Sequence, residues 1–268
     1  MVQVGYPLLA IFAYSMYRLK KSLGQHFLKD ENISKKIISS LQQLPFQQLV
    51  EVGPGAGALT KYLLQIPNIE FKAVEVDEEK VNYLLENYPT IAGKIIHESI
   101  LEIDPPFDSP FTIIGNFPYN ISSQIVFRVL EWKTLVETMI GMFQKEVAQR
   151  IVAKPGSKIY GVSSVLTQAF FKTEYLFEVS EQAFKPPPKV MSAVIRLTPN
   201  KEVPPMASEQ QFFLLVKTAF NQRRKTLRNA VKALFAEKEL GDGIFDKRAE
   251  QLSPLQFAAL TFKMKDQG

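Results

Sequence analysis

The sequence predicts an α/β fold with a mostly parallel sheet, followed by a small all-α domain. Three observations predict it. Short apolar, β-branched runs alternate with amphipathic helical stretches from Ile33 onward. The first such run, Leu49 to Val52, is followed at once by the glycine turn Gly53-Pro-Gly-Ala-Gly57 and a further helical stretch. Beyond Thr198 to Ser208, a segment rich in proline and polar residues, the pattern becomes helical and basic.

A chain of 268 residues that is 46% hydrophobic and 22% charged can bury a large core and carry a small appendage. The absence of cysteine excludes disulfides and thiolate metal sites. The two histidines, His26 and His97, stand alone, so no metal site is expected. These features describe a cytoplasmic protein. The apolar stretch Tyr6 to Tyr17 is too short to span a bilayer and lacks the basic start of a signal peptide. Residues 1–18 therefore read as an extension without function, with Met16 a plausible start, and no membrane partner is expected.

In chain order, Lys20 to Asp30 carries two lysines, a glycine and amide or ring side chains ahead of an amphipathic helix near Ile33 to Leu41. It reads either as a solvated lead-in or as a segment lying across a ligand. Strands are expected at Leu49–Val52, Phe71–Val76, Lys94–His97, Ile113–Asn116 and Val136–Phe143, with helices between. Strand, glycine turn and helix make a nucleoside cradle, because missing side chains let the backbone approach a ligand at the helix start. Pro54 removes an N–H that a pyrophosphate would use, which favours a ligand with a ribose and no phosphates. Glu75, 22 residues past Gly53, is placed to accept from ribose hydroxyls. Helices at Gln144–Ala153 and from Tyr160 follow, and then strands near Lys172–Val179 and Val190–Leu197 suggest a hairpin closing the sheet edge.

The fourth strand runs into Gly115-Asn-Phe-Pro-Tyr119. Pro118 holds Phe117 extended, which sets the Phe117 carbonyl beside the Asn116 amide as two acceptors, with Tyr119 a flat face for a planar base. Taken alone, the segment reads equally well as an ordinary X-Pro turn with a core tyrosine. From 201 to 268 there are 12 Lys and Arg against 8 Asp and Glu, so four of the five net positive charges lie there. Asn221-Gln-Arg-Arg-Lys-Thr-Leu-Arg-Asn229 is expected to start a helix whose Arg224, Arg228 and Lys232 form a stripe beside an apolar face. Without interleaved acids, such a stripe favours a phosphate backbone.

Five blocks, Gly24-Gln-His-Phe-Leu28, Glu51-Val-Gly-Pro-Gly-Ala-Gly57, Asn116-Phe-Pro-Tyr119, Phe184-Lys-Pro-Pro-Pro-Lys-Val190 and Asn221 to Asn229, resemble the rRNA adenine dimethyltransferases. The likeness starts at about Leu19 and is strongest to the small-subunit group. It implies a Rossmann-like methyltransferase domain over 19–199 and a helical RNA-binding domain over 200–268. It also implies S-adenosylmethionine as cofactor and two methyl groups placed on N6 of each of two adjacent adenosines in a small-subunit rRNA hairpin, within immature subunits; a monomer is expected, because that partner is very large. Gln25, His26, Phe27 and Leu28 would cover the cofactor. Glu51, Gly53, Gly55, Gly57, Glu75, Val76, Glu98 and Ser99 would line its site. Asn116, Phe117, Pro118 and Tyr119 would hold the target amine and base, with Phe184 on the base's other face. Lys20, Lys21, Arg223, Arg224, Lys225, Arg228 and Lys232 would contact RNA. The family usually has an aspartate where Ser99 stands and Asn-Leu where Asn116-Phe117 stands. The alternatives are a large-subunit rRNA methyltransferase of the macrolide-resistance type, against which the Arg-Arg-Lys-Thr-Leu-Arg-Asn segment argues, and a non-catalytic assembly factor.

Overall fold

The structure is a computed structural model that describes residues 26–265, so the expectations for residues 1–18, Lys20, Lys21 and Gln25 lie outside the described residues. The described residues separate into two compact units, 26–148 with 174–199 and 149–173 with 200–265. Residues 149–173, kept with the sheet in the sequence reading, belong instead to the second unit.

In the first unit the described elements are β1 (Phe27–Leu28), α1 (Glu31–Leu41), β2 (Gln48–Val52), α2 (Thr60–Leu63), β3 (Glu70–Val74), α3 (Glu78–Asn87), β4 (Ile95–Ile96), β5 (Phe111–Asn116), α4 (Ser122–Glu131) and β6 (Val136–Gln144). α5 (Lys145–Val152) crosses into the second unit, which holds α6 (Val162–Phe170), and β7 (Phe171–Val179), β8 (Phe184–Lys185) and β9 (Ser192–Pro199) follow as the chain returns to the first. The main sheet runs β4-β3-β2-β5-β6-β9-β7. Its first five strands pair in parallel and β9 runs antiparallel to β6. β7 and β9 are neighbours at the sheet edge, as the late strands suggested.

The order matters for function. From β2 the chain proceeds outward to β3 and β4, then returns to place β5 on the other side of β2. The crevice beyond the carboxyl ends of β2 and β5 is therefore the switch point at which such sheets bind ligands. Burial on both faces explains the continuous apolar runs: Leu49, Val50, Ile113, Ile114, Met139 and Ile140 are all at most 1% exposed. Helix starts are set locally. Asp30 accepts from the Asn32 and Ile33 amides to begin α1, and Asp77 accepts from Glu79 to begin α3. α1 then buries Ile37, Ile38 and Leu41 in the core shared with Leu49, Phe71 and Ile114.

The second unit is helical. α7 (Glu209–Asn221) is capped by Ser208, α8 spans Leu227–Val231, and α9 (Pro254–Thr261) starts with a reciprocal Ser253–Gln256 capping box. Aromatic pairs fill its interior, including Tyr160 against Phe220 and Phe170 against Phe212. The basic block Asn221 to Asn229 does not start one helix as expected. It closes α7, turns through Gln222 to Thr226 and opens α8, so Arg224, Arg228 and Lys232 do not share a helical face. The break follows tertiary bonding: the Leu227 amide donates to the Lys247 carbonyl at 2.7 Å, outside any helical ladder.

Candidate active site

Two motifs far apart in sequence meet at the switch point. Gly53, Gly55 and Gly57 all have positive φ, 69°, 56° and 81°, which only glycine adopts freely, so the turn after β2 is dictated by these residues. A Cβ on Gly53 would sit 3.5 Å from the Pro118 ring, so the glycine turn packs directly on the segment after β5. At Gly57 a Cβ would come within 2.4 Å of the Tyr88 ring. Tyr88 thus holds the turn from behind, a role that nothing in the local sequence signals.

Glu75 follows β3, is buried, and accepts from the Gly55 amide at 3.2 Å and from the Val76 and Asp77 amides at 3.0 and 3.1 Å. A carboxylate has about four lone-pair sites, and with three amides bound one remains, on Oε2, to accept from a ribose hydroxyl. The next side chain, Val76, is 61% exposed, an uncovered apolar face at a strand end. Ser99 accepts from the Leu101 amide at 3.3 Å and so shapes the turn after β4, while Glu98 is exposed. Glu51 is fully buried and takes the Thr60 hydroxyl at 2.7 Å. Burial pushes its carboxyl up to about 8, with the charge of Glu75 adding to the rise and the Thr60 hydroxyl opposing it. Glu51 accordingly supports the turn from within the core and offers no surface to a ligand, which corrects its expected place in the cofactor site. The glycine cradle, the buried carboxylate and the exposed Val76 together fit an adenosine-bearing cofactor.

At the end of β5 the Asn116 amide nitrogen donates to the His26 carbonyl at 3.4 Å, which leaves the amide oxygen as the acceptor. Phe117 is 1% exposed, its amide donating to Met142 of β6 at 3.2 Å. Its ring points into the core, and only its backbone can take part in chemistry. Tyr119 is half-buried, its hydroxyl bonded to that of Ser192. Burial, partly offset by that bond, raises the phenol above its usual range and keeps it neutral.

A short ribbon closes over this end of the sheet. β1 pairs antiparallel with β8, Leu28 opposite Phe184 and Phe27 opposite Lys185, and the Lys29 and Asp30 amides donate to the Ala183 carbonyl. The His26 Nδ1–H donates to the Pro186 carbonyl at 2.8 Å, which fixes the ring 5.9 Å from that of Tyr119. Phe27 is exposed and lies in line with Gly55, where a Cβ would meet its ring at 3.8 Å. Phe184 differs from expectation. It is 1% exposed and packs in the core, because its partner Leu28 draws it inward, so it presents no open face beside Tyr119. The aromatic neighbour of Tyr119 is His26. Sequence reasoning missed this pairing and Ser192, both of which depend on contacts between distant segments.

In the second unit, Arg223 is committed to the carbonyls of Ser157 and Lys158. Arg228 is paired with Asp246 at 2.6 Å. Arg224, Lys225 and Lys232 are exposed. Arg224 lines a cleft of about 220 Å³ with Lys158, Arg223, Arg248 and Glu250. Among the described residues no group of His, Asp and Glu is arranged to hold a metal, and no helix is long and apolar enough to cross a membrane.

Parallel sheet, glycine turn, acidic strand end and Asn-Phe-Pro-Tyr together define a Rossmann-like methyltransferase whose cofactor is S-adenosylmethionine. The family model described as Ribosomal RNA adenine dimethylase matches residues 16–260, and the chain belongs to that family. It is 52% identical over 255 residues to a ribosomal RNA small subunit methyltransferase A from Flavobacterium johnsoniae, covering 94% of this chain and 97% of that one. A protein of the same name from Phocaeicola vulgatus is 50% identical over 247 residues, covering 90% of this chain and 88% of that one. Among solved structures, a dimethyladenosine transferase from Plasmodium falciparum shares the fold at a TM-score of 0.73 and 22% identity, covering 87% of this chain and 94% of that one. The 23S rRNA methyltransferase ErmE does so at 0.66 and 24%, covering 88% and 99%.

Proposed function

We propose that this protein transfers methyl groups from S-adenosylmethionine to N6 of adenosine in small-subunit rRNA, two on each of two adjacent adenosines in a 3′-terminal hairpin. It acts in the cytoplasm on immature subunits, as a monomer. The observation that carries the reading is the placement of Asn116 and Phe117 at the carboxyl end of β5, packed through Pro118 on the glycine turn. The substrate assignment within the family is supported by the small-subunit relatives, which are matched over nearly their whole length.

The cofactor supplies an electrophilic methyl on a sulfonium. Everything else is positioning by this chain. Gly53, Gly55 and Gly57 would admit the ligand to the backbone, Glu75 would accept from a ribose hydroxyl, and Val76 and Ser99 would line the adenine site. An aromatic amine is a poor nucleophile because its lone pair is delocalised into the ring. In the first transfer the Asn116 amide oxygen and the Phe117 carbonyl would accept its two N–H bonds, and in the second the one that remains, turning the nitrogen towards tetrahedral geometry and aiming it at the methyl; each new C–N bond would form as the methyl–sulfur bond breaks to leave a neutral thioether, and the proton lost from nitrogen would pass to solvent. The target base leaves its stack to reach the site and lies on the Tyr119 ring, beside His26. Arg224, Lys225, Lys232 and the flanking Lys158 and Arg248 hold RNA phosphates.

The test is transfer of labelled methyl groups to unmethylated small subunits, with large subunits in parallel. Dimethylated adenosines on the small subunit, reduced about a hundredfold or more by Asn116→Ala, are expected. Label on the large subunit alone reassigns the substrate. Subunit binding without transfer to either makes the chain an assembly factor.

A further inference from the structure

The acceptor pair at Asn116 and Phe117 hangs on a ring that fills a space left by two missing side chains. Gly115 on β5 and Gly141 on β6 face each other in register. A Cβ on Gly115 would lie 2.5 Å from the Val52 carbonyl oxygen and 2.7 Å from the Phe117 ring, and one on Gly141 would lie 2.2 Å from the Phe117 ring and 2.7 Å from the Phe143 ring. All four distances are below anything real Cβ atoms tolerate, and both rings are fully buried. Phe143 closes the slot from the side, its ring edge-on to that of Phe117 at 5.1 Å and 78°. Neither glycine has positive φ, so backbone conformation does not require glycine at 141; space does.

We infer that Gly141 is a positioning residue for methyl transfer: its empty side-chain volume seats the Phe117 ring, and the seated ring aims the Asn116 amide and the Phe117 carbonyl. The inference rests on the methyl-transfer reading and extends it to a strand that touches no ligand. A methyl at 141 drives the ring out of its slot. The buried ring is confined by Phe143 and by the two strands, so displacing it moves the Phe117 backbone, which is bracketed by Pro118 and by the hydrogen bond that the Phe117 amide donates to the Met142 carbonyl. The amine acceptors then shift by a fraction of an ångström to an ångström, enough to misalign an in-line transfer. The cofactor cradle at Gly53 to Gly57 and Glu75 follows β2 and β3 and supplies no atom against either ring of the slot.

The experiment compares the full chain with Gly141→Ala, Phe117→Leu and the double variant, measuring transfer to small subunits, cofactor binding by titration, and thermal melting. Gly141→Ala is expected to lower kcat by about 10- to 100-fold, with the dissociation constant for S-adenosylmethionine changed less than about twofold. Adding Phe117→Leu, which removes roughly the volume the methyl adds and gives the neighbouring Phe143 ring, the methyl's other contact, room to shift, is expected to restore transfer to within about threefold of Phe117→Leu alone. Unchanged kcat in folded Gly141→Ala overturns the inference. So does a double variant that stays inactive, folded or not. A wild-type chain that transfers no methyl group defeats the functional reading first, which keeps the two failures distinct.

Discussion

The strand-end site of the first unit and the basic face of the second are built in opposite ways. The first is made of backbone and absence: glycines at positive φ, a proline, buried rings and a few fixed acceptors. The second is made of long exposed cations, of which Arg223 and Arg228 are already tied to partners within the unit while Arg224, Lys225 and Lys232 extend to solvent. Chemistry that depends on orientation loses much from small displacements, whereas phosphate contacts are individually weak and add up. Single substitutions should therefore cost far more in the first region than in the second.

The largest effect is expected at Gly57. Alanine there meets a φ of 81° and a Tyr88 ring within 2.4 Å. Strain and overpacking together should destabilise the chain by about 2 to 5 kcal/mol, read from urea midpoints. A loss below about 1 kcal/mol would mean that Tyr88 yields easily, and the contrast between rigid and adaptable regions would fail.

An intermediate effect is expected from Glu51, and it depends on pH. Burial, then the charge of Glu75, holds the folded carboxyl at about 8 against an ordinary 4.5. Between those values the unfolded chain releases a proton that the folded chain keeps. Stability contributed by this group is thus fully present below pH 4.5, falls as pH rises, and levels off above about 8. The slope approaches about 1.4 kcal/mol per pH unit. Glu51→Gln keeps an acceptor for Thr60 and removes the slope, so denaturation midpoints measured from pH 5.5 to 8.5 should converge at the low end and separate at the high end, with the variant more stable. Parallel curves would show that Glu51 is ionised in the fold.

The smallest effect is expected at Arg224. Arg224→Ala should weaken rRNA binding by only a few-fold at physiological salt and reduce the salt dependence of binding by about one unit of log–log slope. Thermal stability should stay unchanged, since the side chain is exposed. A loss as large as that at Gly57 would make Arg224 a shaped contact and dissolve the comparison.

The same contrast explains what was legible in the sequence. The sheet and the positions of the glycine turn, Glu75 and the Asn116 to Tyr119 segment at strand ends could be read because each is set by neighbours along the chain. Seven strands appeared close to where apolar runs placed them. Contacts between distant segments could not be read. Leu28 pulls Phe184 into the core, Pro186 sets the His26 ring beside Tyr119, and Ser192 takes the Tyr119 hydroxyl. The break at Gln222 to Thr226 was equally hidden, because arginine, lysine and threonine neither forbid nor demand a helix and the Lys247 carbonyl decides the matter. Residues 149–173 joined the helical unit for the same reason: local pattern marks a helix but not the core it packs into.

The β1–β8 ribbon has a further consequence, for biosynthesis. His26 and Pro186 are separated by 160 positions, and Tyr119 waits on Ser192. A nascent chain emerging as far as residue 150 holds the glycine turn, Glu75 and Asn116 but lacks the strand that closes over them. The ribbon and the Tyr119–Ser192 contact therefore cannot form until nearly two hundred residues have left the ribosome, so this end of the sheet is completed late in synthesis.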